Sequence, residues 1–270
     1  MPNVFKAETS DAYHIKVLAE ILANNIKTGY FDITNDGIYL RMMDNPRHTL
    51  IDLFLDSKSF TVYKFKSSEN IHAGLNMSHF HKMLKSIKKK DTIQLIIEEN
   101  DLTQLKIRTI PKETNASISS SYIKIQDTQN LDIDLPENHN RPIIILSSEF
   151  QKMCKNTLNM SNIVQVDVKN SHIKFTCDAE GVMKRTVEFG GIESEDSDDE
   201  NTEDYYSQRF TSEHLSRITK ISGLASTIQI FPSLTDLLFS SNVGELGKIS
   251  IYIKSKEQIE KEELRGNDSE

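Results

Sequence analysis

With 270 residues, 37% of them hydrophobic and 27% charged, the chain can bury one large core or two modest ones. No apolar run approaches the roughly 20 residues that cross a bilayer. The first residues, MPNVFKAETSDAYHIKV, have no apolar h-region, so neither a membrane span nor a secretory signal is expected. The formal net charge of −8 is local: ESEDSDDENTED (193–204) holds eight acidic residues and no Lys or Arg, and the rest of the chain is neutral. That run reads as a disordered, solvated loop, whose low complexity supplies no fixed carboxylates for a metal. Cys154 and Cys177 lie in apolar patterns without CxxC spacing and read as reduced core residues of an intracellular protein.

In chain order, a helix is expected over 11–24, with Ala12, Ile15, Leu18, Ala19 and Leu22 inward and Lys16 as its basic residue. Alternating runs at 30–33, 38–42, 49–55 and 61–65 read as strands, the first two joined by the turn signal Asp36-Gly37. GLNMSHFHKMLKSIKKKD (74–91) carries a helix over 78–88. Its stripe is Phe80, Met83, Leu84 and Ile87, with Ser78, Lys82, Lys85 and Lys89 opposite. Strands at 92–98 and 102–110 follow. A polar stretch, IQDTQNLDIDLPENHNRP (125–142), then reads as a connector. Beyond it come a strand at 141–146 and a helix over 148–158, in which Lys152, Lys155 and Asn159 oppose Phe150, Met153, Cys154 and Thr157. Strands are expected at 163–168, 173–177, 185–189, 227–231, 237–240 and 248–253. The last helix, over 212–222, sets Arg217 and Lys220 against Leu215, Ile218 and Ser222. Asp11, Ser78, Ser147 or Ser148, and Thr211 or Ser212 are the expected helix caps.

FDITNDGIYLRMMD matches VDVKNSHIKFTCD at an offset of about 135 residues, pairing Ile38, Leu40 and Met42 with Ile173, Phe175 and Cys177. The same element order around both copies points to a duplication. Three short helices with two or more cations opposite their core stripe then imply an extended basic surface on a sheet scaffold, suited to phosphate backbones rather than to base readout. There is no Walker loop, GxGxxG, HExxH or GxSxG, and His79 and His81 point different ways on a helix. Nothing calls for a cofactor or a metal.

GIYLRMMDNPRHTLIDL (37–53) resembles the first signature of the proliferating cell nuclear antigen family, the eukaryotic and viral DNA sliding clamps. GLNMSHFHKMLK (74–85) resembles the second, and LDIDLPENHNRPIIILSSEFQKMCKNTL (131–158) looks like the interdomain connector entering the second domain. The resemblance covers nearly the whole chain. It implies an α+β fold of two similar clamp domains, with antiparallel sheets outside and four short helices on one face. Three chains would close head-to-tail into a homotrimeric ring around double-stranded DNA. The implied divisions are 1–124 and 142–256 as domains, 125–141 as connector, and 257–270 as a flexible charged tail.

The implied activity is that of a processivity factor with no chemistry of its own. Its partners would be duplex DNA of any sequence, a DNA polymerase and other PIP-box-type proteins, and a clamp loader, in a nucleus or at a viral replication site. The family's channel cations fall on Lys16, Lys82, Lys85, Lys152, Lys155 and Lys220, with Arg217 on the same face. Val17 and Ala23 stand at first-helix positions that are usually basic. The family's pocket for Q-x-x-aliphatic-x-x-aromatic-aromatic peptides falls on Met43, His48, Leu50, Ile133, Leu135, Pro136, Leu237, Tyr252 and Ile253. His48 replaces an aliphatic there, Leu237 stands where proline is common, and Lys254-Ser255 replaces Ala-Pro. Edge strands at 119–125, with Tyr122, and 182–189, with Lys184 and Thr186, are implied to join neighbouring chains. Lys169 falls near the family's modified lysine. The alternatives are a monomeric processivity protein or checkpoint-clamp subunit of the same fold, or, from another class, a carboxylate-based DNA-modifying enzyme.

Overall fold

The computed structural model describes residues 2–113, 115–126, 133–136, 141–169, 172–190 and 206–267. The acidic run 193–204 and most of the connector lie outside the described residues. The first half runs β1 (Asn3–Thr9), α1 (Ala12–Asn25), β2 (Thr28–Ile33), β3 (Gly37–Met43), β4 (Thr49–Asp56), β5 (Val62–Phe65), β6 (Ile71–Asn76), α2 (Met77–Leu84), β7 (Thr92–Glu98), β8 (Asp101–Ile110) and β9 (Ser119–Lys124). The second runs β10 (Ile143–Leu146), α3 (Ser147–Thr157), β11 (Ile163–Lys169), β12 (His172–Ala179), β13 (Met183–Phe189), β14 (Tyr206–Thr211), α4 (Ser212–Arg217), β15 (Thr227–Pro232), β16 (Asp236–Asn242), β17 (Gly247–Lys254) and α5 (Lys256–Asn267). Apart from β5 and α5, the two series match element for element, which is the duplication the sequence suggested.

All the pairings are antiparallel. They form a five-stranded sheet (β5-β1-β7-β8-β9), an eight-stranded sheet (β10-β15-β16-β17-β4-β3-β2-β6) and a four-stranded sheet (β13-β12-β11-β14). The two halves meet inside the eight-stranded sheet, where β17 pairs with β4 from Gly247 opposite Leu55 to Ile253 opposite Thr49. The strands approach so closely at that end that a Cβ on Gly247 would lie 2.0 Å from the Phe54 carbonyl oxygen, a place only glycine fits.

The helices form one layer: α1 packs on α2 at one side and on α4 with the 3-10 turn 219–223 at the other, and α3 packs on that turn. Ile15, Leu18, Leu22 and Phe80 press from this layer onto Phe5, Phe31, Leu95 and Leu105 of the sheets. Each such side chain taken from water stabilises the fold by about 1.5–3 kcal/mol before entropy is counted. Cys154 and Cys177 are buried and free, and burial pushes the Cys154 thiol up to about 12, so both are unreactive packing groups.

Several expectations need correction. Strands β1, β6 and β14 lie outside the runs that the sequence pattern marks as strands. β6 and β14 hide Ala73, Gly74 or polar residues within their runs, and β1 alternates through the short side chain of Ala7. The helix expected over 78–88 ends at Leu84, and its cap is Asn76, whose side chain accepts from the His79 amide at 2.9 Å. The helix expected over 212–222 breaks after Arg217, where the Ser216 and Thr219 hydroxyls donate to carbonyls four residues back. A fifth helix stands where a flexible tail was expected: α5 runs to Asn267, with Glu257 in its first turn and Arg265 in its last, matching the helix dipole. The Arg209 Nε donates to Glu257 at 2.7 Å and Lys254 pairs with Glu262 at 2.6 Å, tying α5 to the sheet.

Candidate DNA face and peptide groove

The amphipathic pattern turns the expected cations away from the core, and their environments sort them into two groups. Lys82, Lys85 and Lys155 are exposed and carry no ion pair among the described residues. The others are engaged. Lys16 is half-buried and donates to the Ile87 carbonyl at 2.9 Å, which closes the end of the α2 segment rather than presenting a free ammonium. Lys152 lies 3.8 Å from Glu149, and Lys220 pairs with Glu20 at 3.0 Å. Arg217 bridges Glu213 and the buried Asp44. Val17 is buried under Gly223, so this usually basic position serves the packing of α1 on the 219–223 turn. Exposed pairs of this kind are worth about 0–1 kcal/mol and exchange readily, so Lys152 and Lys220 remain available to phosphates.

The groove lies on the opposite side of the eight-stranded sheet. Strand registers place Phe231, Leu238, Tyr252, Leu50 and Met43 in one transverse row, each opposite the next across β15, β16, β17, β4 and β3. Leu50, Leu238 and Tyr252 form a small apolar cluster separate from the main core, with Met43, Phe231, Ile133 and Leu135 packed on it. Arg41 holds the connector segment over this row, donating from Nη1 to the Ile133 carbonyl at 3.3 Å while its Nε bonds Asp52 at 2.8 Å. The resulting cavity of roughly 210 Å3 is bounded by Met43, His48, Leu50, Pro136 and Tyr252, and by Gln258 and Glu262 of α5. Burial, then the carboxylates of Asp52 and Asp236, raise the Tyr252 phenol, so it stays a neutral donor at physiological pH.

Two expected groove residues do not belong to it. Leu237 and Ile253 are fully buried in the main core, on the other face of their strands. Leu238, opposite Tyr252, and Phe231, opposite Leu238, continue the row instead. Strand register finds them: once Tyr252 faces the groove, its partner on β16 and that residue's partner on β15 must as well.

The strands expected to join copies are sheet edges. β9 ends the five-stranded sheet and β13 ends the four-stranded one. Tyr122 is 53% exposed, with the Lys106 ammonium 5.6 Å from its ring. Lys184 and Thr186 are exposed along β13. No described helix is long and apolar enough to cross a membrane, and the described residues hold no cluster of three or more metal-ligating side chains.

A duplicated antiparallel scaffold with its helices packed as one layer on the sheets defines the class of DNA sliding clamps. The chain belongs to the proliferating cell nuclear antigen family: the description "Proliferating cell nuclear antigen, N-terminal domain" matches residues 4–135, and the C-terminal domain of the same family matches 134–236. It is also similar to "Uncharacterized protein 436R" of Invertebrate iridescent virus 6, at 26% identity over 259 residues, covering 87% of this chain and 83% of that protein.

Proposed function

We propose that the chain is a processivity clamp, closing head-to-tail with further copies into a ring that encircles duplex DNA and tethers a polymerase by a peptide in the groove. One observation carries this reading. Within the chain β17 of the second half pairs with β4 of the first, whereas their counterparts in the repeat, β9 and β13, each lack a neighbouring strand on one side among the described residues. Pairing β9 of one copy with β13 of the next repeats the internal junction and leaves neither edge free. The strand registers make Tyr122 the equivalent of Tyr252 and Lys184 the equivalent of Leu50. Tyr252 is 8% exposed at its junction while Tyr122 is uncovered, as a missing neighbour requires.

A heterologous contact of this type closes a ring when its rotation divides a full turn, and three chains is the number the family assembly implies. Such a ring turns the helix layer to the duplex. Lys85, Lys152, Lys155 and Lys220 are mobile ammonium groups that bind phosphates without reading bases, which lets the ring slide. Sedimentation should give about three times the 30.9 kDa chain mass, and a single-chain mass at micromolar concentration would sink the reading. Lys85→Glu with Lys155→Glu should leave that mass intact and remove polymerase stimulation on long primed templates. Stimulation equal to wild type would disprove the DNA face.

A further inference from the structure

The internal repeat carries more than the strand edges. Ile33 pairs with Ile71 as Val168 pairs with Tyr206, so β6 and β14 are equivalent and the helices after them align residue by residue. His79 then corresponds to His214 and Lys82 to Arg217. In the second half these two side chains touch the turn between β3 and β4. The His214 ring stands 5.5 Å from that of His48, and the Arg217 Nη1 lies 3.9 Å from Asp44 Oδ2. This contact flanks the β4·β17 junction; His214 is buried by it and Arg217 half-buried.

In the first half no described residue covers the equivalent surface: His79 and Lys82 are exposed. The turn matching β3–β4 is β12–β13, beside the edge strand β13. Both turns contain a non-glycine residue with left-handed backbone, Arg47 at φ 58° and Glu180 at φ 52°. By register Val182 takes the place of His48, and Asp44 is replaced by Ala179, with a carboxylate on either side. One of these, Asp178, already accepts the Gly181 amide at 2.8 Å. The other, Glu180, is exposed without an ion pair among the described residues, and Val182 is 83% exposed.

We infer that α2 docks on the β12–β13 turn of a second copy of this chain, with the Lys82 ammonium paired to the Glu180 carboxylate and His79 packed on Val182. The inference rests on the ring reading, since it places a second contact beside the β9·β13 ladder. It gives Lys82 a partner other than DNA. The helix layer then takes part in closing the ring, and its closure weakens as salt screens the pair.

Sedimentation of the full chain over a dilution series tests this with Lys82→Glu, Glu180→Lys and the double reversal. Each single change should weaken assembly by about tenfold through like-charge opposition, and the double should return close to wild type. Val182→Asp, a change at an exposed turn tip that leaves the fold intact, should weaken assembly as well. Single reversals that assemble like wild type, or a double no better than the weaker single, would overturn the latch while the wild-type trimer kept the ring reading. A monomeric wild type would overturn both.

Discussion

Leu50 and Tyr252 stand directly opposite each other across β4 and β17, so the centre of the groove is built where the two halves of the chain are joined. The groove therefore exists only when that junction is formed, and its apolar floor can be separated by mutation from the core beneath. Met43→Ala trims a half-buried anchor and should weaken binding of a Q-x-x-aliphatic-x-x-aromatic-aromatic peptide by about 1–2 kcal/mol, with little change in melting temperature. Leu237→Ala should do the reverse. It empties a fully buried site, costing about 2–5 kcal/mol of stability, while the folded fraction keeps its peptide affinity. Fluorescence anisotropy with a labelled peptide and thermal denaturation read the two effects.

Much of this was legible in the sequence because alternation and helical stripes are local. The pairing of Ile38, Leu40 and Met42 with Ile173, Phe175 and Cys177 exposed the repeat, and the stripe through Phe80 and Leu84 put Lys82 and Lys85 on the exposed side of the helix. What was not legible depended on distant residues. β16 is buried on both faces from Asp236 to Ser241, so it has no alternation to say whether Leu237 or Leu238 faces the groove. Only its register with β17 decides. Likewise Arg217 and Lys220 look like free cations until Asp44 and Glu20, far away in the chain, are brought beside them.

Asp44 is the most demanding polar group near the junction. Its Oδ1 accepts the amides of His48 at 2.8 Å and Thr49 at 2.9 Å, while Oδ2 has no hydrogen bond among the described residues and looks to Arg217 for compensation. Removing a cation from beside a buried carboxylate leaves its desolvation unpaid, so Arg217→Ala should cost about 1–3 kcal/mol. Asp44→Asn should be less damaging in that background than alone, because the charge needing compensation is gone. Urea unfolding of the four proteins gives the coupling energy. Additive losses would mean that Arg217 acts through packing only.

His214 gives the junction a pH dependence with a definite sign. Burial first, then the neighbouring His48, hold its imidazole below the usual 6.5; Arg217 adds to this, while Asp44 and Glu213 oppose it. The unfolded chain thus takes up a proton near 6.5 that the folded chain refuses until lower pH. Stability is full above that point, falls as pH drops toward the folded value, and then levels off. His214→Gln should flatten melting temperature between pH 7.5 and 5.5. The depressed carboxylates of Glu8, Glu257 and Glu262 lose their contribution in a separate window, below about 4.5, and should be unaffected by the change.

The helix α5 places an ion pair at the groove mouth. Glu262 sits 2.6 Å from the Lys254 ammonium, and both line the cavity. Because both side chains reach solvent, breaking the pair should cost the fold no more than about 1 kcal/mol. Its effect on ligands should be larger in proportion, since Glu262→Gln removes the carboxylate that neutralises Lys254 at the rim. Peptides with a glutamate flanking the aliphatic anchor should then bind more tightly and lysine-flanked ones more weakly, each by about 0.5–1 kcal/mol at low salt. A matched pair of peptides titrated against wild type and Glu262→Gln measures the crossover, and equal shifts for both would show that Glu262 only holds α5 in place. Raising the salt should shrink the crossover for a charge effect and leave a purely structural one unchanged.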